Sequence, residues 1–272
     1  MVSLTYIGNQ FTIYGGYLIL LTGILGNGIN ILIFLSKNTY RTTPCTFYFL
    51  IASIHNIIYI TLSIITRTMS IGYGIDPTRT SVIWCKIRQF LIVTVSLIAL
   101  TCSCLATIDQ FLVTSRSVNY RRCSNIKWAH QIVLIVIIIW CLHGIPVVLF
   151  RNISPITNTC VNTNAIYGIY TSIYILGLLC AIPVLIMLIF GYLTYRNIRY
   201  TRMLAEQRID RQFTKMVFIQ VILLVICIVP YGINNTYNLI TSNVLKDANR
   251  LENENFALAI LSFISYFYYA VC

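Results

Sequence analysis

Long apolar stretches alternate with short polar segments along the whole chain. Seven of these stretches have about 17 residues or more, enough for an α-helix to cross the roughly 30 Å hydrocarbon core of a bilayer. Each is a continuous apolar run and lacks the alternation of polar and apolar residues that is typical of barrel strands. The pattern therefore predicts seven membrane-spanning helices, near residues 11–35, 45–66, 82–114, 128–150, 167–195, 212–241 and 256–272.

The composition also indicates a membrane protein. Charged residues make up 10% of the 272 residues, whereas about 25% is usual in soluble domains. So few charges cannot cover a soluble globule, since large exposed apolar patches would associate. The composition therefore argues against a secreted enzyme, a disordered tail and a nucleic-acid-binding domain. Because the sequence has neither a repeat nor a long linker, we predict one all-α membrane domain over residues 1–272, a seven-transmembrane helix bundle.

Basic residues indicate the orientation of this bundle. Twelve of the 19 lysines and arginines lie in the segments 36–44, 115–127 and 196–215, and basic residues favour the cytoplasmic side of a membrane. The first apolar stretch is too long for a signal-peptide core and has no basic residue before it. We therefore expect an extracellular N-terminus. We therefore interpret the net charge of +12 first as a consequence of basic residues on the cytoplasmic side. No soluble basic face that would bind nucleic acid is visible.

Polar residues in the third span lie on one face of the helix. Gln89, Ser96, Ser103 and Gln110 are spaced by seven residues, which is close to two helical turns per step. Because unpaired polar groups are costly in hydrocarbon, this stripe should face the interior of the bundle. Two roles remain open: hydrogen bonds between helices, or, for the outer part, the lining of a ligand cavity.

Other spans carry polar residues and prolines whose roles are also open. Asn27 lies among glycines in the first span. Because glycines let a neighbouring helix approach closely, this context favours a packing role for Asn27 over a role in ligand contact. His55 in the second span is either a neutral core histidine or a group that titrates or binds an ion. Pro146, Pro183 and Pro230 lie inside the fourth, fifth and sixth spans. Each should kink its helix, which creates a hinge or shapes a cavity.

Two of the ten cysteines are expected on the extracellular side. Cys85 stands at the outer start of the third span, and Cys160 lies in the outer segment after the fourth. Because this side is oxidising, we expect the two to form a disulfide. It would join residues 75 apart, which stabilises a fold by roughly 4 kcal/mol through the chain entropy of the unfolded state.

Short motifs occur in an order that extends over almost the whole chain. They are Gly26-Asn27, Ile51-Ala52-Ser53-Ile54-His55, Trp84-Cys85, Asp109-Gln110-Phe111, Trp140, Cys160, Pro183 and Cys227-Ile228-Val229-Pro230-Tyr231. This ordered set resembles the rhodopsin-like G-protein-coupled receptors. The resemblance implies a multi-pass receptor of the plasma membrane that binds an extracellular ligand and signals to a heterotrimeric G protein.

Three residues depart from the motifs of that family. Gln110 stands where the family has the arginine of Asp-Arg-Tyr, and Ile228 stands where it has the tryptophan of Cys-Trp-x-Pro. His55 matches the position of the acidic residue at the family's sodium site, so we expect no sodium site. Asp210 matches the acidic partner of the family arginine. The resemblance then implies a hydrogen bond from Gln110 to Asp210 in place of an ion pair.

The resemblance also narrows the ligand class. Ile92 occupies the position of the aspartate that binds ammonium ligands, and residues 256–272 contain no lysine that could bind retinal. A neuropeptide-like ligand therefore fits better than an amine or retinal. Acidic residues on the outer side would contact a basic peptide or remain solvated loop charges: Asp76, Asp247, Glu252 and Glu254.

The family pattern assigns three sets of residues to this sequence. The expected ligand pocket consists of Gln89, Ile92, Val93, Ser96, Tyr231, Asn234, Asn235, Ser265 and Tyr266. The expected G-protein surface consists of Asp109, Gln110, Phe111, Arg116, Arg196, Arg199 and Asp210. Residues expected to pack the bundle or switch its state are Asn27, His55, Trp140, Pro183, Ile228 and Pro230.

Two alternatives to a signalling receptor remain. The first keeps the fold and removes coupling, giving a scavenger or orphan receptor, as Gln110 and Ile228 suggest. The second is a transporter or channel, although the chain lacks related halves and paired intramembrane charges. We expect no enzymatic activity, cofactor or metal. The family's Asn-Pro-x-x-Tyr motif would follow Cys272, so we expect a seventh span and C-terminal tail that are truncated in this sequence.

Overall fold

The computed structural model describes residues 4–36, 42–155, 158–200, 208–241 and 244–272, with the side chains of residues 4, 5, 200 and 208–214 left out. Its helices are α1 Leu4–Ser36, α2 Pro44–Arg67, α3 Val82–Thr114, α4 Val118–Cys123, α5 Ile126–Phe150, α6 Ala165–Tyr174, α7 Ile182–Tyr200, α8 Arg208–Cys227, α9 Val229–Ile240 and α10 Ala248–Val271. Three irregular helical segments join or extend them: the π-helices Thr68–Gly72 and Ile175–Ala181 and the 3₁₀-helix Pro77–Arg79. Strands β1 Arg151–Ile153 and β2 Cys160–Asn162 pair antiparallel.

Seven helices in the described part are long and apolar enough to cross a membrane. They are Tyr6–Ser36, Pro44–Gly72, Val82–Thr114, Ile126–Phe150, Ala165–Arg199, Lys215–Ile240 and Ala248–Val271, which we number as the first to seventh spans. The prediction of an all-α bundle of seven apolar helices is confirmed. Helix α1 begins seven residues before the predicted first span, and helix α10 begins eight residues before the predicted seventh span. Polar turns extend both helices beyond their apolar segments.

The third span forms the centre of the bundle. In its most apolar part 72% of the residues are buried, against 17% in the first and fourth spans. Ser96, Ser103 and Gln110 of the polar stripe are buried, and Gln89 is half-buried. The hydroxyl groups of Ser96 and Ser103 donate hydrogen bonds to carbonyls of their own helix, at 3.0 and 3.2 Å. The stripe therefore faces inward as predicted.

Side-chain caps fix the start of three helices. The Ser81 hydroxyl accepts a hydrogen bond from the Trp84 amide at the start of α3. Asn125 and Asn164 do the same at the starts of α5 and α6. Each side-chain oxygen satisfies one of the backbone donors that a helix N-terminus leaves without a partner.

The fifth and sixth spans contain breaks in regular helix near their prolines. In the fifth span the π-helix Ile175–Ala181 ends two residues before Pro183, and in the sixth α8 and α9 meet at Ile228, two residues before Pro230. Proline removes a backbone donor and displaces the preceding turn. Pro146 lies inside the continuous helix α5. The three prolines therefore differ in their effects on the helices.

Candidate functional site

A disulfide joins the third span to the segment after the fourth. Cys85 and Cys160 are bonded with their Cα atoms 5.8 Å apart, as predicted. Cys160 lies in β2, whose partner strand β1 begins at Arg151. The Arg151 guanidinium donates a long hydrogen bond to Cys160 Sγ at 3.9 Å, and burial lowers the pKa of Arg151. We call this end of the bundle the disulfide face, and the end that carries Asp109 and Gln110 the Asp109 face.

A cavity of about 80 Å³ lies among five spans, next to the disulfide face. Its first residue on the third span, Gln89, is one helical turn from Cys85. Six of the nine predicted pocket residues line it: Gln89, Ile92, Val93, Ser96, Tyr231 and Ser265. We call it the central cavity. Four of these six residues lie on the third span, which therefore forms one wall of the cavity.

The remaining parts of the walls of the central cavity were missed. They consist mainly of phenol rings and of residues at the two helix breaks: Tyr59, Tyr174, Ile175, Leu179, Ile228 and Tyr269. Among these, Ile228 was predicted as a switch and not as a lining residue. Tyrosines inside apolar spans are a signal in the sequence, but tyrosines also cover the outside of this bundle, as Tyr14 and Tyr192 do.

The chemistry of the central cavity is polar and uncharged. Its described lining offers phenol hydroxyls, the Gln89 amide and two serine hydroxyls, and it includes no charged side chain. Ile92 lines the cavity at the position where an amine ligand would need a carboxylate. Burying an unpaired ammonium there would be costly. The cavity therefore suits aromatic groups and neutral hydrogen-bonding groups.

The remaining three predicted pocket residues lie outside the central cavity. Asn234 and Asn235 line neither of the two cavities that we describe. The Asn235 amide donates to the carbonyl of Tyr231 at 2.8 Å, a bond within its own helix. Tyr266 lines the second cavity, next in sequence to Ser265 of the central cavity.

The second cavity, of about 140 Å³, also lies at the disulfide face. Its walls come from the second, third and seventh spans and from the segment after the second: Thr66, Arg67, Ser70, Ile71, Asp76, Pro77, Thr78, Trp84, Arg88 and Tyr266. Burial alone would raise the pKa of Asp76, but hydrogen bonds from Thr78 and Ser70 hold that pKa below its ordinary value. Asp76 is therefore a structural carboxylate of this segment.

Two of the other acidic residues proposed to contact a basic peptide, Glu252 and Glu254, have local partners. The Glu254 carboxylate forms ion pairs with Lys246 and Arg250 and accepts a hydrogen bond from Tyr237. Glu252 also interacts with a neighbour. Within the described ranges, His, Cys, Asp and Glu side chains do not form a group that could hold a metal ion.

The Asp109 face holds the polar residues at the C-terminal end of the third span. Asp109 and Gln110 are buried. Asp109 Oδ1 accepts a hydrogen bond from Ser124 Oγ at 2.7 Å, which ties the third span to the residue after α4. The ring of Phe111 packs against Tyr120 and Phe190.

The basic residues expected on this face are exposed. Arg116 follows the third span, and Arg196 and Arg199 lie near the end of α7. Asp210 belongs to α8, but its side chain lies outside the described residues, so its predicted hydrogen bond with Gln110 stays a prediction.

Asn56, and not His55, faces the first span. The Asn56 amide donates to Asn27 Oδ1 at 3.1 Å, and the Asn27 amide donates to the carbonyls of Gly23 and Tyr269. The His55 ring donates from Nδ1 to the Ile51 carbonyl of its own helix at 2.8 Å. The polar side chain of the second span that contacts the first is therefore Asn56, and the match of His55 with the family's acidic position stays a prediction. A step of one residue turns a side chain by about 100° around the helix.

Trp140 and a glycine hold the fourth span against the third. Trp140 Nε1 donates to Thr101 Oγ1 at 2.9 Å. A Cβ atom at Gly144 would lie 2.6 Å from the Phe90 ring and 2.8 Å from Thr94 Oγ1. Small residues permit such close approach of membrane helices. This contact supports a packing role for Trp140.

Together, seven apolar spans, a disulfide between the third span and strand β2, and a polar cavity between the spans define a membrane protein of receptor architecture. The family model described as 7 transmembrane receptor (rhodopsin family) matches residues 26–272. The chain therefore belongs to the rhodopsin family of seven-transmembrane receptors. No curated protein matches the sequence.

Proposed function

We propose that this protein is a plasma-membrane receptor that binds a peptide-like extracellular ligand and signals to a heterotrimeric G protein. Family membership supports the receptor class. The central cavity carries the rest of the proposal, because five spans line it and it contacts the helix breaks in the fifth and sixth spans. The disulfide face would lie outside the cell, since disulfides form in oxidising compartments.

The arrangement of the two cavities supports a ligand with several chemically different groups. The central cavity offers phenols, an amide and hydroxyls, while the second offers charged side chains. Ser265 and Tyr266 are consecutive residues of the seventh span and line one cavity each. A short peptide can place different side chains in both cavities, whereas a small amine would lack a carboxylate in the first.

Ligand contact at Ile228 and Tyr231 would act on the break in the sixth span. The Cys180 thiol donates to the Ile228 carbonyl at 3.6 Å, so the breaks of the fifth and sixth spans contact each other next to the cavity, which Ile228 lines. A ligand that binds one packing of this contact more tightly shifts the population towards it. The inner end of the sixth span would then move relative to Gln110 and open the Asp109 face for the G protein.

The proposal is tested in cells that express the receptor together with dissociation sensors for each G-protein class. We expect at least one member of a peptide panel to cause dissociation. Substituting Gln89→Leu should then weaken its potency about tenfold, since a lost hydrogen bond in a desolvated site costs about 1–2 kcal/mol. Gln131→Leu is the matched control, because Gln131 is exposed on the fourth span. Absence of dissociation for every class would refute coupling.

A second candidate function is ligand binding without efficient coupling. Gln110 favours it, because a neutral amide cannot form the ion pair of the family arginine. Ile228 favours it as well, since an aliphatic side chain replaces the aromatic ring at the break of the sixth span. The variant Gln110→Arg separates the two functions. If this change alone creates signalling to a peptide that already binds, the native protein is a binding receptor that couples poorly.

A further inference from the structure

Two arginines that line the second cavity have no carboxylate partner in the part of the chain that the structure describes. Arg67 ends α2, and Arg88 lies on α3 one turn beyond Trp84. Neither Arg67 nor Arg88 takes part in the ion pairs Arg79–Asp76, Lys246–Glu254 and Arg250–Glu254. Both guanidiniums therefore remain positive charges beside the cavity.

Arg67 has the least compensated side chain of the cavity. Its guanidinium lies over the ring of Phe263, 5.4 Å from the ring centre. Its buried Nε atom has no hydrogen-bond partner among the described residues. A guanidinium carries five donors, and a buried donor without an acceptor costs free energy. An acceptor that enters the cavity would remove this cost.

Arg88 is positioned but not neutralised. Its Nε donates to Thr66 Oγ1 at 2.8 Å, which orients the guanidinium between the second and third spans. A hydroxyl group supplies no negative charge. The planar guanidinium has further donors in a fixed arrangement that matches the two oxygens of a carboxylate.

Asp76 is the acidic residue that lines the cavity, and its oxygens already have partners. Oδ1 accepts from the Thr78 amide and hydroxyl, and Oδ2 accepts from Ser70 and Arg79. Two guanidiniums and one carboxylate leave an excess of one positive charge among the lining residues. The charge complement of this cavity is therefore a monoanion, since a dianion would bring uncompensated negative charge into a partly desolvated site.

We propose that the second cavity binds a carboxylate group of the receptor's ligand between the guanidiniums of Arg67 and Arg88. The volume of about 140 Å³ is close to that of an engineered cavity of about 150 Å³ that holds one benzene molecule. The carboxylate can therefore bring one small side chain, which would contact Trp84 and Tyr266. This inference rests on the proposed function and names the chemical class that the ligand carries.

The test uses the full chain in phosphatidylcholine nanodiscs and measures the Tm with defined probes at equal ionic strength. N-acetyl-leucine should raise the Tm by about 2–4 °C at concentrations well above its Kd. N-acetyl-leucinamide, which has the same shape without the charge, should leave it unchanged. Equal shifts with the acid and the amide would overturn the proposal. A shift with inorganic phosphate as large as that with the acid would also overturn it.

Variants locate the response in the cavity. Arg67→Gln and Arg88→Gln should each abolish the shift by N-acetyl-leucine, and the first should fold well because the Arg67 Nε atom has no hydrogen-bond partner among the described residues. Lys86→Gln is the matched control, since it removes a positive charge from the same end of α3 outside the cavity lining. A shift that survives in both arginine variants would refute the site.

Further arms identify the source of the carboxylate and separate this inference from the proposed function. The tetrapeptide Ala-Gly-Ala-Leu is compared with N-acetyl-leucine, and the probe that binds more tightly shows whether the site prefers a peptide C-terminus or a small acid. Either preference supports the carboxylate site. The nanodisc assay contains no G protein, so it tests the carboxylate site separately from coupling. If N-acetyl-leucine does not shift the Tm while the receptor still causes G-protein dissociation in cells, this inference alone is overturned.

Discussion

At the scale of single residues, Asn27 joins three spans through one side-chain amide. It donates to the carbonyl of Tyr269 in the seventh span and accepts from Asn56 in the second. Asn27 and Asn56 are both almost fully buried, at 1% and 2% exposure. Hydrogen bonds between membrane helices contribute about 0.6 kcal/mol on average and up to about 1.7 kcal/mol. Asn27 therefore fixes the positions of the three spans relative to one another.

Replacing Asn56 should cost more stability than replacing its neighbour. We expect Asn56→Leu to lower the free energy of unfolding by about 1–2 kcal/mol, because it leaves the buried Asn27 oxygen without its donor. His55→Leu is the matched control and should cost less, since the His55 bond lies within its own helix. Thermal unfolding in detergent measures both. A larger loss for His55→Leu would contradict the contact between Asn27 and Asn56.

The adjacent residues His55 and Asn56 show where the sequence is insufficient at this scale. His55 and Asn56 are adjacent polar residues in an apolar helix, and either could face the interior on composition alone. The distinction depends on the rotation of α2 against α1, which packing fixes. The third span has four polar residues with the same spacing, so its inward face does not depend on any single residue. This face was predicted correctly from Gln89, Ser96, Ser103 and Gln110.

At the scale of elements, the fifth and sixth spans contact each other at their breaks. Gly232 of α9 lies against Cys180 of the π-helix Ile175–Ala181, and a Cβ atom at Gly232 would overlap the Cys180 sulfur. A glycine is therefore required here by the close approach of the two elements. The contact includes Ile228, whose carbonyl accepts from the Cys180 thiol.

Adding a methyl group at this contact should separate the two elements. We expect Gly232→Ala to lower the free energy of unfolding by about 1–3 kcal/mol, the usual cost of overpacking. The double variant Gly232→Ala with Cys180→Ala should recover part of this loss, because it removes the overlapping sulfur. Gly28→Ala is the control and should be neutral or slightly stabilising, since nothing lies within 4 Å of its added Cβ. No recovery in the double variant would contradict the contact.

The breaks also explain which elements of the cavity were predictable. Seven spans follow from apolar length, which sequence shows directly. Pro183 and Pro230 indicate that two helices deviate, but the π-helix at Ile175–Ala181 changes the register of the fifth span before its proline. A π-turn inserts an additional residue into the helical turn, so Tyr174 and Leu179 could not be assigned to a face from regular periodicity.

At the scale of the whole molecule, the disulfide ties the segment after the fourth span to the third span at the disulfide face. It joins the start of the third span to β2, 75 residues later in the sequence. The closed segment includes the whole fourth span. Because the cross-link restricts a long loop in the unfolded chain, it should stabilise the fold by several kcal/mol.

Removing either cysteine should therefore destabilise the molecule by a similar amount. We expect Cys85→Ala and Cys160→Ala each to lower the free energy of unfolding by about 2–5 kcal/mol. The double variant should be about as stable as either single one, because both changes remove the same bond. Cys141→Ala is the control, a free and half-buried cysteine of the fourth span. Unfolding under non-reducing conditions measures all four variants, and additive losses would contradict a shared bond.

The proposed orientation of the whole molecule is tested most directly by labelling cysteines with a membrane-impermeant maleimide. Cys123 of α4 is a free, exposed cysteine on the Asp109 face. Asn152 is exposed in β1 on the disulfide face, so Asn152→Cys supplies the opposite reporter. We expect Asn152→Cys to react in intact cells and Cys123 to react only after permeabilisation, with Cys123→Ser as the control. Labelling of Cys123 in intact cells, with Asn152→Cys protected, would contradict the receptor account.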